Sequence, residues 1–214
     1  MKHFETMSSL EGDTIQLREM TPNTMQALQD PGRDDLLILV DGLDRKIGTA
    51  TKLEAHLQGL LHRAFSVVLM RESPDGPELL LAKRALGKYH SGGLWTNSCC
   101  SHPRDGEETI DAAYRRVEEE LGIKAIDLHE IAAFAYRAEF DNGLCEYEYD
   151  HVLLGQCTCT DDIPFDPSEV SEVRWVSFDT LAQELAQKPK HFTAWAPMVF
   201  SATMARGQDS IRVM

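Results

Sequence analysis

Apolar residues in this chain gather in short runs bounded by turn signals, the pattern of strands, and switch to helical spacing at only a few places. The run Leu36 to Val40 (LLILV), closed by Asp41-Gly42, predicts a buried strand, and Ile47 to Thr51 is placed to pair back onto it. Ala64 to Met70 is apolar and rich in β-formers, which predicts a central strand. The turn residues Ser73-Pro74-Asp75-Gly76 then lead into a strand over Leu79 to Ala82. Further on, Leu128 to Phe140 and Tyr147 to Cys157 flank Asp141-Asn142-Gly143, a strong hairpin signal, and Val173 to Val176 gives one more strand. Helical spacing is clearest where Ala113, Val117 and Leu121 form one stripe, with Gly122 as a C-terminal stop. Asp105, with Glu108 three residues later, resembles a capping box for that helix. Two further helices are expected near Asp179 to Gln187 and Thr193 to Ala205. Strands mixed with few helices predict an α+β protein, a mixed sheet with helices on its faces.

Residues 1–35 are polar and acidic, broken by Thr21-Pro22-Asn23 and Pro31-Gly32, and read as an N-terminal extension to a single domain over 36–214. A chain of 214 residues buries roughly 70% of its unfolded surface, enough for one well-formed core. The 21 basic and 35 acidic residues leave a net charge of −14, which argues against a nucleic-acid or anionic-membrane partner. Any anion bound here must be gripped locally. Five cysteines without a regular framework, no secretory leader pattern and no long apolar run predict a reduced, cytoplasmic protein without a membrane span.

The stretch Leu94 to Ile123 concentrates the chemistry. Cys100 and His102 lie two apart, so in extended backbone they share a face, with Cys99 and Ser101 on the other. Arg116 and Glu120, four apart, share a helix face distinct from the apolar stripe. Glu146 and Glu148 likewise face one side of their strand, and His56 and His62 precede the central strand. Three imidazoles, His56, His62 and His102, with the two carboxylates would make a five-ligand nitrogen and oxygen site, open as to metal. The bland alternative is a set of partly buried imidazoles and a solvated strand face. Cys100 reads either as core packing or as a thiol whose thiolate is favoured by His102 and a helix N-terminus. Trp195 reads as an anchor of the last helix, and Cys157-Thr158-Cys159 as strand packing.

The segments TNSCCSHP (96–103), CEYEYD (145–150) and GLLHRAFS (59–66) resemble type I isopentenyl diphosphate isomerase, a member of the Nudix superfamily, from about Leu36 onward. The Nudix box is present but altered. Ser101 stands at its glycine, Glu107 at its first glutamate, Arg115 and Arg116 at its Arg-Glu pair, and Glu119, Glu120 and Gly122 complete it. Arg116 replaces a carboxylate that hydrolases of this fold use to hold their ions, so the resemblance favours the isomerase over a hydrolase of nucleoside diphosphate derivatives, which stands as the alternative. It implies a Nudix-type mixed sheet flanked by helices, and the allylic proton shift between isopentenyl and dimethylallyl diphosphate in isoprenoid precursor biosynthesis. Cys100 and Glu148 would be the acid/base pair, with Tyr136 assisting beside Glu148 and Trp195 offering an aromatic face to a transient cation. Lys52, Arg84, Lys88 and Arg116 would contact the diphosphate. His56, His62, His102, Glu146 and Glu148 would hold one divalent metal (Mn2+, Zn2+ or Mg2+), and Glu120 a Mg2+ that accompanies the diphosphate. A small-molecule substrate and a monomer or homodimer complete the expectation.

Overall fold

The computed structural model describes residues 36–124 and 126–211; the extension expected over residues 1–35 lies outside the described residues. In chain order come β1 (Leu36–Val40), β2 (Lys46–Thr51), α1 (Lys52–Gln58), β3 (His62–Ser73), β4 (Gly76–Arg84), β5 (Trp95–Thr96) and β6 (Cys99–Ser101). They are followed by α2 (Thr109–Leu121), β7 (Asp127–Glu139), β8 (Cys145–Gln156), β9 (Val170–Ser177), α3 (Phe178–Gln187), a 3-10 turn (Pro189–His191) and α4 (Ala196–Ile211). Among the described residues the strands form one nine-stranded mixed sheet. The run expected to be central is its hub. Strand β3 lies parallel to β8 along one edge, and along the other meets β1, β6 and β4 in turn, all antiparallel. The expected hairpin forms between β7 and β8, and β1 pairs back on β2 from Leu36↔Thr51 to Leu39↔Gly48.

Alternation along β3 divides the interior in two. Phe65, Val67 and Leu69 join Cys99, Leu153 and the α2 stripe of Ala113, Val117 and Leu121 in one core. Val68 joins Leu79, Leu81, Val152, Leu181 of α3 and Ala196, Val199 and Phe200 of α4 in the other. Full burial of a Val or Leu contributes about 1.5–3 kcal/mol, so these two faces fix the register of the strands between them. In that register Tyr136 lies opposite Glu148, His62 beside Glu148, and Ser66 opposite Cys100, so the polar residues of interest emerge on the α4 side of the sheet.

Several local expectations are corrected. The capping box belongs to α1, where the Thr51 hydroxyl accepts the Glu54 N–H and the Glu54 carboxylate accepts the Thr51 N–H; α1 itself is too short for a periodicity signal. Helix α2 starts at Thr109 with Glu108 as its N-cap and no side-chain cap, while Asp105 pairs with Lys46. Glu107 does the ordering there: it accepts the Arg104 N–H and both Nε–H and Nη2–H of Arg115, each at 2.8 Å. Helix α4 begins at Ala196 rather than Thr193, with Pro197 in its first turn where no amide donor is needed. Cys157 and Cys159 are joined in a disulfide just past the end of β8, where strand packing was expected of a wholly reduced chain. Among the described residues no helix is long and apolar enough to cross a membrane.

Candidate active site

Five of the candidate ligands converge. His56 arrives on α1, His62 is the first residue of β3, His102 follows β6, and Glu146 and Glu148 project from the same face of β8. His56 Nε2 lies 2.9 Å from Glu146 Oε2, His102 Nε2 2.9 Å from Glu148 Oε1, and His62 Nε2 3.7 Å from an oxygen of each. One ligand atom each from His56, His62, His102 and Glu146 falls within 4.8 Å of the others. The backbone aims the rings: His56 Nδ1 is 2.5 Å from the Lys52 carbonyl and His62 Nδ1 2.8 Å from the Leu60 carbonyl, which turns each Nε2 inward. Both His62 Nε2 and Glu146 Oε2 are buried without a hydrogen-bond partner, a costly arrangement that a cation would resolve.

The ionisation states of the two carboxylates and of His102 match such a donor set. Burial and the like charge of Glu146 would raise the Glu148 carboxyl, but the hydrogen-bonded His102 and the nearby His62 bring it down to about 2, and Glu146 is held well below the usual range by His56 and His90 despite its burial. Burial lowers His102 to about 4, so it stays neutral; His62, between the two carboxylates, is pulled upward against its burial. Ionised carboxylates and a neutral imidazole such as His102 are the states in which these groups bind metals, whereas His62 would have to give up a proton to bind one. The Tyr136 hydroxyl donates to Glu148 Oε2 at 2.6 Å.

Cys100 faces the same cavity from β6. Its thiol donates to Asn97 Oδ1 at 3.0 Å and accepts from Trp195 Nε1–H at 3.2 Å. Asn97 cannot turn, because its amide donates to the carbonyls of Val67 (3.1 Å) and Cys99 (2.9 Å). Burial, with Asp150 beyond, pushes the thiol up to about 12, which overturns the expectation of a favoured thiolate. The helix whose N-terminus was to lower it starts nine residues on, at Thr109, and His102 is engaged with Glu148 instead.

Cys100 and Trp195 line one cavity of about 230 Å3 together with His102, Glu146 and Glu148, and Lys52, Arg84, Lys88, Arg104, Arg115 and Arg116 line it too. A chain of net charge −14 thus gathers six cationic side chains at one place. Burial, together with the neighbouring Lys88 and Arg84, lowers Lys52 to about 8, and an anion among these groups would relieve that repulsion. Glu169 already sits there, paired with Lys88 and 3.3 Å from Arg116. Burial would raise its carboxyl, but these cations hold it at about 2. A carboxyl held down in this way stabilises the fold above its unfolded value of roughly 4.5 and loses that contribution as pH falls toward 2. Thermal melts from pH 7 to 2 should therefore show Glu169→Gln less stable than the parent at neutral pH and converging with it in acid; parallel curves would contradict the pairing.

Glu120 does not line this cavity. It is buried behind it, in a smaller cleft with Arg84, Lys88, Cys100 and Glu169, and its carboxylate accepts from Arg116 at 2.6 Å. Burial and the like charge of Glu169 raise it against the pull of Arg116, so added positive charge would be welcome there. Sequence spacing missed Tyr89, His90 and Asn97. Tyr89 and His90 reach the site only because the β4–β5 loop folds back tightly: a Cβ on Gly92 would stand 2.8 Å from the Leu86 carbonyl oxygen. The run Lys88-Tyr89-His90 carries no ligand spacing that could have flagged them.

Residues 60–196 match the NUDIX domain family. The chain is 51% identical over 167 residues to an isopentenyl-diphosphate Delta-isomerase of Photobacterium profundum, covering 78% of this chain and 92% of that one. It is 45% identical over 166 residues to the protein of the same name from Pectobacterium atrosepticum, covering 77% and 89% respectively. Among solved structures, DR0079 from Deinococcus radiodurans superimposes with a TM-score of 0.61 at 19% identity over 78% of this chain and 98% of its own, a likeness of fold alone.

Proposed function

This chain belongs to the NUDIX domain family and, within it, to the isopentenyl-diphosphate Delta-isomerases, and from that premise we propose how its residues carry out the interconversion of isopentenyl and dimethylallyl diphosphate. The observation that supports the assignment best is the pairing in one cavity of a protonated thiol, Cys100, with an ionised carboxylate, Glu148, beside a wall of cations. The reaction adds a proton to the terminal alkene carbon and removes one from the carbon next to the oxygen-bearing methylene, through a tertiary cation if stepwise. An acid and a base must flank the three carbons, water must be kept out, and the charge must be tolerated. Cys100 and Glu148 are the two groups placed for this, and they exchange roles when the reaction runs in reverse. Asn97 fixes the thiol proton, and Tyr136 steadies the carboxylate. Trp195 lines the cavity beside Cys100, and an aromatic face there would give a transient cation about 2 kcal/mol when desolvated. Lys52, Arg84, Lys88 and Arg116 bind the diphosphate, whose remote binding energy holds the alkene between the catalytic pair.

The buried, unpartnered His62 Nε2 and Glu146 Oε2 and the carbonyl-anchored rings fit a divalent ion, Mn2+, Zn2+ or Mg2+, held by His56, His62, His102, Glu146 and Glu148. When bound, it supplies positive charge that keeps Glu148 ionised and in place. Glu120, buried beside Lys88 and Glu169, is the residue that would hold a Mg2+ accompanying the diphosphate. We read the enzyme as cytoplasmic, a monomer or homodimer, with its catalytic domain over residues 36–214. A hydrolase reading is weaker, because Arg116 replaces a box carboxylate and ties up Glu119 and Glu120 at 2.7 and 2.6 Å.

The test is a proton NMR time course with isopentenyl diphosphate and divalent metal in deuterated buffer. Vinylidene signals should fade as dimethylallyl signals grow and deuterium enters the product. Unchanged isopentenyl diphosphate, with phosphate released from nucleoside diphosphate derivatives, would replace this reading by the hydrolase.

A further inference from the structure

His90 has no part in the chemistry above, yet it is buried within the histidine and carboxylate cluster. Its Nε2 lies 2.5 Å from Glu146 Oε1, the oxygen that also accepts from the Tyr89 hydroxyl at 3.3 Å. The ring is held on both sides: it stacks on Phe140 with centroids 4.2 Å apart and planes 10° apart, and Nδ1 is 3.1 Å from Ser91 Oγ. The other oxygen of Glu146, Oε2, faces His56 and His62 and makes no hydrogen bond. One carboxylate thus presents an oxygen clamped by His90 and another turned toward His56 and His62.

We propose that His90 is a positioning residue for the metal site: by holding Glu146 Oε1 through Nε2–H, it makes Glu146 a one-oxygen donor through Oε2 and leaves the site dominated by imidazole nitrogen. The inference rests on the reading of His56, His62, His102, Glu146 and Glu148 as metal ligands. His90 is not itself a ligand, since one nitrogen is engaged by Glu146 and the other faces Ser91. Outer partners of this kind orient a ligand and set its basicity, and their loss weakens metal binding by roughly 10–100-fold. A nitrogen-rich site with a single-oxygen carboxylate favours Zn2+, Co2+ or Mn2+ over Mg2+, which prefers an oxygen shell. If Glu146 were free to turn, both of its oxygens could face the ion, and that preference would narrow.

The experiment compares metal-free full-length protein with its His90→Phe and His90→Gln variants. Phenylalanine keeps the stack on Phe140 without a donor, and the glutamine amide restores a donor near Nε2. Zn2+ affinity is measured by chelator competition, and the coordination of added Co2+ by its visible spectrum. Zn2+ affinity should fall roughly 10–100-fold in His90→Phe and return most of the way in His90→Gln. The Co2+ bands should shift in the first variant and not in the second. Equal affinities and spectra in parent and His90→Phe would overturn the role of His90 while leaving the metal site standing. A permanent loss of Co2+ intensity in both variants would make His90 a ligand and overturn the positioning role. If the parent takes up neither ion, the metal reading fails and this inference fails with it. Melting of each metal-free variant shows that it is folded, and if His90→Phe is not, His90→Leu, which likewise lacks a donor, takes its place with the same expected loss.

Discussion

Glu148→Gln is expected to lower isomerase turnover by roughly 10^4-fold, the upper end of what one general acid or base contributes, because the side chain serves two purposes. In the proposed reaction it is the ionised partner of the proton shift, held at about 2 by His102 and His62 against the cost of burial. It also presents an oxygen 2.9 Å from His102 Nε2 and 3.7 Å from His62 Nε2, so the amide removes both the base and a metal donor. The volume and the Tyr136 hydrogen bond can be retained, so the fold should persist. Initial rates, diphosphate binding by calorimetry and a thermal melt would be measured together. A folded variant that binds diphosphate and turns over near the parent rate would remove Glu148 from the catalytic pair.

Cys100→Ala should be nearly as damaging, at roughly 10^3- to 10^4-fold, and for a simpler reason: no other group within hydrogen-bond reach can exchange a proton in its place. Its partners are Asn97, Trp195, Ser66 and Thr96, none of which is a useful acid near neutrality. The substitution also strips the acceptor from the buried Trp195 N–H, a cost of about 1–3 kcal/mol that should appear as a modest drop in melting temperature. An accompanying measurement concerns the parent protein. With the thiol pushed up to about 12, iodoacetamide should label Cys100 at pH 8 at least roughly a hundredfold more slowly than an ordinary thiol. Rapid labelling would show a thiolate in the resting site and reverse the proton placement used above.

The strands were largely legible because their apolar runs and turns are local statements. Asp141-Asn142-Gly143 announces the β7–β8 hairpin, and the hairpin in turn puts Glu146 and Glu148 on one face. The i,i+2 rule similarly placed Cys100 on one face and Cys99 on the other, and the two cores keep them apart. The missed features are those whose partners lie far away in sequence. The Thr51 and Glu54 capping box was present in the letters but belongs to a helix too short to show a period, while the similar letters at Asp105 and Glu108 fall within and just after a turn that Glu107 orders through Arg115. Between core packing and a favoured thiolate the letters around Cys100 do not decide, because the burial that raises the thiol is set only by packing.

Sequence alone determined which candidate groups share a local face: the thiol and His102, the paired carboxylates, Arg116 with Glu120 in the altered box, and the strand and helix stripes that carry them. Side-chain period and turn chemistry act over a few residues, so the letters suffice for these. The tertiary structure alone decided which atoms meet. It brought His56 from α1, His62 from β3 and His102 from beyond β6 onto two carboxylates of β8. It turned Asn97 so that its oxygen faces the thiol, folded His90 in behind Glu146, and set Glu120 behind the cavity rather than within it. Distances between such remote residues, and the desolvation that sets their protonation, arise only when two cores close on both faces of one sheet.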